Sequence, residues 1–531
     1  MMTVPDLNFG DLFEAVAEQI PDRNAIVHGT TAYSWRELDQ RTNRLARALL
    51  EAGLTTGSKV AFYLRNTPAY LELFVACAKA RLTHANVNYL YVDQELYYVL
   101  DNSDAEAVVY DAEFAPQIAA LRPRLSKVHV FLEVGDAAKV PQALSFEQAC
   151  QTGDAAALDI ERSGEDLYFM YTGGTTGYPK AVMWEHKHRI AVIGMSSAET
   201  AHAHAQQIAA TPGPMTMPAC PLMHSTGFTT AVATLVAGGC VVLLPSRSFN
   251  AQLCLEEIQR LRVQRLAIVG DAFSVPILEF LQQSPDRYDL SSVQLISSAG
   301  AMWSAERKQA LLKHFKHATL ADSLGSSEGS RLGARVTEQG DAVATGSFQR
   351  GPGVKLFTED FREVAPGSNE AGMIATSGSI PLGYYKDAER TAQTFPTIDG
   401  VRYSMAGDWC HLRADDTLVL LGRGNNCINS GGEKIYPEEV EEALKQHPDI
   451  LDAAVIGVPD PRWGQAVAAV VVNRDGRLVE GDALRRHLST RLARYKHPKH
   501  LQQADGAIRH DNGKVNYRAV RAMMGAGDPK G

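Results

Sequence analysis

Short apolar runs alternate with amphipathic stretches along most of this 531-residue chain, and that alternation limits the fold more than any other feature. The runs KVAFYL, LYFMYT, CVVLL, RLAIVG and VQLISS suit buried strands. AYLELFVACAKARL and AERKQALLKHF carry helical spacing between such runs. Strands separated by helices imply an α/β fold with largely parallel sheets. The N-terminal stretch opens with another helix, which places Phe13, Val16, Ala17 and Ile20 on one face. WRELDQRTNRLARALLEAG reads as a second amphipathic helix ending at Gly53.

Bulk properties exclude several classes. At usual domain sizes the length predicts two to four folding units. A formal net charge of -9 lacks the basic footprint of a general nucleic-acid binder. The start, MMTVPDLNFGDLFEAVAEQI, has neither the basic residues nor the apolar core of a signal peptide. The longest apolar run, AVATLVAGGCVVLL, is interrupted by two glycines and is too short to span a bilayer. Seven scattered cysteines show no metal-ligand spacing and read as buried thiols of a reducing compartment, so the cytoplasm is expected.

The character changes near GRGNNCINSGGEKIYPEEVEEALKQHPD. Before it lie short strands such as TLVLLGR; after it comes a compact α+β pattern. Pro437 suits a first helical turn, because its missing N–H would be unpaired there anyway. Glu438 and Glu439 follow at the positive helix end, and Lys445 and His447 lie near the negative end. The runs AAVIGV and AVAAVVV read as strands, and GDALRRHLSTRLARY as a helix. The boundary is expected at Gly424, dividing the chain into 1–424 and 425–531, with glycine supplying torsional freedom at the junction.

One stretch, YTGGTTGYPKA from position 171, stands out for its lack of large side chains: six of its eleven residues are Gly or Thr. Pro179 pushes Tyr178 towards extended backbone, so the segment links the strand LYFMYT to a second strand beginning near Lys180. Read from the residues alone, it is either a flexible surface loop or a backbone cradle for an anion. Exposed N–H groups and the hydroxyls of Thr172, Thr175 and Thr176 suit a phosphate, and Lys180 adds a point charge. It is not the NTPase P-loop, which reads Gly-Lys-Ser/Thr and opens a helix.

This stretch resembles the phosphate loop of the adenylate-forming superfamily: acyl- and aryl-CoA synthetases, luciferases and peptide-synthetase adenylation domains. Gly173 stands where that loop usually has Ser, and Ala181 where it has Gly. The resemblance runs from about residue 10 to 520, with further motifs in the family's order. SAGAMWS resembles the segment against the adenine, through Ala299, Gly300 and Ala301. DSLGSSEG, from Asp322 to Gly329, resembles the family's Gly-Tyr-Gly-x-Thr-Glu; Leu324 replaces the aromatic residue and Ser327 the Thr. AGDWC resembles its Thr-Gly-Asp, and IRHDNGKVNYR its C-terminal Gly-Lys segment, with Ile508 where Pro is common.

The resemblance implies a large N-terminal domain of stacked α/β sheets with a small β-barrel-like part, and a small mobile C-terminal α+β domain. It implies ATP and CoA as cosubstrates, with Mg²⁺. The ATP site would comprise Thr172, Gly173, Gly174, Thr175, Thr176, Gly177 and Lys180, the adenine segment Ala299–Ala301, and Asp322, Ser323, Leu324, Gly325, Ser326 and Ser327. Asp408 and Arg423 would hold the ribose or phosphate, and Glu328 would ligate Mg²⁺, a hard ion that takes oxygen donors. Lys514 would reach the carboxylate and α-phosphate; with Glu328, Thr176 and His224 it forms the expected catalytic set. In a second step, Ser430, Gly431 and Gly432 would line the path of CoA. The pivot, usually ionic two residues after the Arg, is Asn425 here.

GGTTGYPKAVMWEH, VNYLYV, PLMHSTG, VGDAF and CINSGGEKIYPEEVEEAL together resemble bacterial ligases of steroid side-chain and long-chain acyl type. Those take bulky apolar acids. His224, Phe228, Gly270 and Asp271 match the acyl-pocket region. The expected activity is therefore an ATP-dependent acyl-CoA ligase in fatty-acid or steroid metabolism. The rivals are an adenylating enzyme that hands its acyl group to a carrier protein or closes a lactone, an ATP-binding sensor without catalysis, and a structural or interaction protein. No nucleic acid or transmembrane segment is expected, and a homodimer is compatible with the sequence.

Overall fold

The computed structural model describes residues 4–525 except 92, 136–139, 173–178, 195–199, 285–286, 302, 369, 424–427, 431–432, 461–463, 475–478, 480, 490, 493 and 511–512; at 330, 423, 429, 433, 434 and 464 only the backbone is described.

Two large sheets organise the N-terminal part. In one, the strands Asn24–His28, Cys240–Leu243, Met215–Pro218, Arg265–Ile268, Leu295–Ala299 and Thr319–Ser326 lie side by side, every adjacent pair parallel. In the other, Leu167–Thr172, Thr83–Asn86, Lys59–Tyr63, Ala105–Asp111 and Val130–Val134 are likewise parallel, and Lys180–Glu185 joins antiparallel beside the first of them. The expected alternation of strands and helices is thus present.

Strands such as Lys59–Tyr63 and Cys240–Leu243 are almost wholly apolar because both of their faces are covered. In Lys59–Tyr63, Val60 and Phe62 enter the core shared by the two sheets, while Ala61 and Tyr63 face a second cluster with Val99, Leu100 and Ile118. On the other sheet, Val241 and Leu243 enter the shared core, and Val242 faces a cluster with Leu255, Ile258 and Leu311. The shared core is filled by the helices Phe9–Gln19, Pro68–Lys79 and Ser225–Val236, which contribute Phe13, Phe74 and Leu235. The layers therefore run helix, sheet, helix, sheet, helix.

The longest apolar run divides into the end of one helix and a strand. Gly238, at φ +64, turns the chain, and a Cβ at Gly239 would lie 2.4 Å from the Pro214 carbonyl oxygen. No helix among the described residues is long and apolar enough to cross a membrane. Six cysteines are free and buried; Cys427 lies outside the described residues.

Beyond Thr319–Ser326 the first sheet turns antiparallel, through Ser330–Thr337, Ser347–Arg350, Thr417–Arg423, Asp408–Leu412 and Ala371–Ser377. These strands, with Val354–Phe357, surround their own cluster of Leu332, Phe348, Leu356, Ile374 and Leu418, the expected barrel-like part. The C-terminal part is α+β. Its long hairpin Ile450–Asp460 and Gly464–Asn473 turns Ala453 and Val455 towards helices Pro437–Lys445 and Gly481–Ser489, and Ala454 and Ile456 towards helix Tyr517–Met523. Pro437 occupies the first helical turn with Glu438 and Glu439, as expected. The boundary expected at Gly424, with Asn425, lies outside the described residues.

Candidate active site

The bare stretch joins two antiparallel strands, with Thr172 directly opposite Lys180. Residues Gly173, Gly174, Thr175, Thr176 and Gly177 lie outside the described residues. What fixes the strand beneath them is Asn86, which the sequence reading missed. Its side chain accepts from the Tyr171 N–H at 2.6 Å and donates to the Tyr171 carbonyl at 3.2 Å and the Met223 carbonyl at 2.6 Å. One buried amide therefore ties the strand leading into the loop to the segment carrying His224.

Lys180 opens the second strand. Its Nζ lies 3.1 Å from Asp387 and 5.6 Å from the centre of the Tyr384 ring. Burial alone would raise the Asp387 carboxyl, but the Arg390 N–H and Lys180 outweigh it and hold it below its ordinary value. Tyr384 pairs across the strands with Val182 and donates its hydroxyl to Glu328 Oε1 at 2.8 Å. Burial, then the Glu328 charge, push the phenol up, so it stays a donor. Ser404 Oγ donates to the Glu328 carbonyl at 2.7 Å, and Trp184 Nε1 to the Ser327 carbonyl at 2.9 Å. The carboxylate is buried and has no cationic partner among the described residues. A buried anion without a counter-ion is costly, and a carboxylate oxygen is the donor type that Mg²⁺ takes. The residues present fit that ion.

The adenine-type segment sits at the end of Leu295–Ala299. Gly300 has φ +90, and a Cβ there would lie 3.4 Å from Thr226 Oγ1. Ala301 is partly buried against the neighbouring helical cluster. In Thr319–Ser326 the side chains alternate. Leu324 turns into the barrel core and Asp322 is buried against Lys308 Nζ at 2.5 Å, whereas Ser323 and Gly325 lie on the more open side. Burial pushes the Asp322 carboxyl up against the pull of Lys308. Ser326 Oγ is buried with no hydrogen-bond partner among the described residues. Asp408 is buried and lies opposite Arg423 across adjacent strands; the Arg423 side chain is outside the described residues.

His224 immediately precedes the helix Ser225–Val236 and is half-buried. Burial, then the nearby Lys514 ammonium, push it down to about 4, so the imidazole is neutral at neutral pH. Phe228 follows one helical turn later. It is buried in the shared core, stacked on His84 at 5.1 Å and edge-on to Phe74 at 4.8 Å. Gly270 has φ +54 and donates its N–H to Ser298 Oγ at 2.9 Å; Asp271 accepts from the Ser304 N–H at 3.0 Å.

Lys514 arrives here from the far end of the chain. It sits on a turn closed by the His510 N–H to the Lys514 carbonyl at 2.8 Å. Gly513, at φ +79, packs on Val269 and Ala272, beside Gly270. A second residue missed in the sequence, Arg509, braces that turn. It grips Asp452 with bonds of 2.7 and 3.0 Å and donates to the Gly513 carbonyl at 3.1 Å. Lys514, His224, Gly270 and Asp271 are thus brought together. Ser430 lies on the short strand Ile428–Ser430, opposite Gly464; Gly431 and Gly432 are outside the described residues.

Comparison with known proteins places the chain in one family. The AMP-binding enzyme profile matches residues 13–385, and the profile of the AMP-binding enzyme C-terminal domain matches 439–514. A medium/long-chain-fatty-acid–CoA/3-oxocholest-4-en-26-oate–CoA ligase of Mycobacterium marinum is 39% identical over 98% of this chain and 97% of its own. A 3-oxocholest-4-en-26-oate–CoA ligase of Rhodococcus rhodochrous is 36% identical over 98% of this chain and 96% of its own. The crystal structure of the anthranilate CoA ligase AuaEII with anthranoyl-AMP has the same fold, with a TM-score of 0.83 at 22% identity over 98% of each chain.

Proposed function

The chain belongs to the AMP-binding enzyme family and is an ATP-dependent acyl-CoA ligase, and from that premise we propose that its acid is a medium- to long-chain fatty or steroid side-chain carboxylate. The substrate reading rests on the relatives' names and coverage. The observation that carries the mechanism is the docking of the Lys514 turn beside His224 and Gly270.

In the first step the acid, already ionised, attacks the α-phosphorus of ATP. A P–O bond forms, the α–β bridging bond breaks, and pyrophosphate leaves. No general base is needed, so the residues act by position and charge. We assign Lys514 to the carboxylate and α-phosphate oxygens. Thr172, Lys180 and the loop between them, Thr176 included, hold the phosphates. Asp387 presets Lys180 and yields it to a phosphate. Ala299–Ala301, with the open face of Ser323 and Gly325, flank the adenine, and Asp408 and Arg423 hold the ribose. Glu328 is the residue that would hold Mg²⁺; when bound, that ion neutralises charge on the transferring phosphates. Neutral His224 borders the acyl group without adding a second cation beside Lys514.

In the second step the CoA sulfur attacks the acyl carbonyl. A C–S bond forms, the C–O bond to AMP breaks, and the thiol proton is lost to solvent. We propose that the C-terminal unit, 425–531, rotates at the junction near Gly424, withdraws Lys514 and presents Ser430, Gly431 and Gly432 to the pantetheine. The free, buried cysteines support a reducing compartment such as the cytoplasm.

The test is pyrophosphate release with ATP and Mg²⁺ over fatty, aryl and steroid side-chain acids, with product masses recorded with and without CoA. Release should depend on fatty or steroid acids, and a thioester mass should appear only with CoA. Pyrophosphate without a CoA thioester would mean that the acyl group goes to a carrier or a lactone. Release with aryl acids alone would overturn the substrate reading.

A further inference from the structure

We propose that Tyr384 is a positioning residue that registers the metal-binding carboxylate against the phosphate-binding lysine; this rests on the reading of Glu328 as the Mg²⁺ ligand. The tyrosine touches both. Its hydroxyl donates to Glu328 Oε1 at 2.8 Å, and its ring centre lies 5.6 Å from Lys180 Nζ. The ring itself cannot drift. Its strand pairs with Lys180–Glu185, Gly383 opposite Met183 and Tyr384 opposite Val182. The Tyr384 N–H donates to Thr391 Oγ1 at 2.9 Å, and the ring meets Phe395 edge-on at 5.9 Å.

A tyrosine serving only the core would spend its hydroxyl on a backbone carbonyl or on water. This one binds a buried carboxylate that has no cationic partner among the described residues. Committing Oε1 to a neutral donor fixes the rotation of the carboxylate while leaving its charge in place. Oε2 is then the oxygen left to meet a cation. Because Lys180 rests on the same rigid ring, one group sets the separation of the two charges that must face a chain of phosphates. Preorganisation of this kind removes the reorganisation cost of binding.

Tyr384→Phe keeps the ring, its packing and the contact with Lys180, and removes only the hydroxyl. The readout is the affinity of Mn²⁺, as a spectroscopic stand-in for Mg²⁺, for the full-length protein with a non-hydrolysable ATP analogue, followed by electron paramagnetic resonance. Nucleotide affinity in EDTA is measured alongside. Losing one hydrogen bond to a charged group should weaken Mn²⁺ by roughly tenfold and leave metal-free nucleotide affinity within about twofold. Glu328→Gln, in the same titration, should weaken Mn²⁺ at least as much. If Glu328→Gln loses Mn²⁺ affinity and Tyr384→Phe does not, the role of Tyr384 is wrong. If Glu328→Gln also keeps full affinity, the metal reading itself fails and the inference with it. An equal loss of nucleotide with and without metal in Tyr384→Phe would show general damage and overturn the proposal.

Discussion

Gly513→Ala should separate the two half-reactions through two distinct costs. The residue has φ +79, and its added Cβ would lie 3.1 Å from Ala272 Cβ and 3.5 Å from the Val269 carbonyl oxygen. The first cost is conformational. An L-residue in the left-handed region loses about 1–2 kcal/mol, wherever the turn is. The second is steric and exists only while the turn is docked on Val269–Ala272. Crowding of this kind costs about 1 kcal/mol or more, or roughly fivefold or more in occupancy of the docked arrangement. Acid-dependent pyrophosphate release should therefore fall by about fivefold to tenfold, whereas thioester formation from synthetic acyl-AMP and CoA should change little. Ala272→Gly removes the atom that the new Cβ meets. Combined with Gly513→Ala it should restore the docking part of the loss and leave the conformational part, a coupling that a double-mutant cycle reads directly. Equal losses in both half-reactions, or no coupling between positions 513 and 272, would refute the docking argument.

Arg509→Lys keeps a cation for Asp452 but cannot also hold the Gly513 carbonyl; pyrophosphate release should drop roughly tenfold while the supplied acyl-AMP is still converted, as a two-half-reaction assay will read. Phe228→Ala should cost about 3–5 kcal/mol in denaturant unfolding, because the ring lies in the core, whereas His224→Ala should shift the preference between fatty and steroid acids by about tenfold or more in kcat/KM. His224 and His186 are held near 4 and His84 near 3, mainly by burial, against an ordinary 6.5. The unfolded chain takes up these protons first, so stability should be full above pH 6.5 and fall as pH drops towards 4; the slope should lessen in His224→Asn.

Much of this was legible in the sequence where local chemistry decides it. Pro179 and the apolar flanks of the bare stretch mark a link between two strands, and Thr172 and Lys180 are paired across them. Pro437 and the glutamates after it mark a helix start. The alternation of a strand also implies that Ser323 and Leu324 point apart, although a motif read residue by residue groups them. What no local pattern carries is the long-range bracing. Tyr384 meets Glu328 across 56 residues, and Asn86 meets Tyr171 and Met223 across 85 and 137. An isolated Tyr or Asn has no periodicity that announces such a partner, and only the packed sheets bring the groups together.

The central claim is that the C-terminal unit serves adenylation and thioester formation with different faces, and Lys514→Ala tests it most directly. The measurement compares pyrophosphate release from acid and ATP with thioester formation from synthetic acyl-AMP and CoA in the same folded protein. Removing one preorganised donor typically costs about 10²–10³ in rate, and that loss should fall on the first reaction alone. The second should stay within a few-fold of the unaltered protein, because Ser430, Gly431 and Gly432 are untouched. Collapse of both reactions together in folded Lys514→Ala would contradict the account.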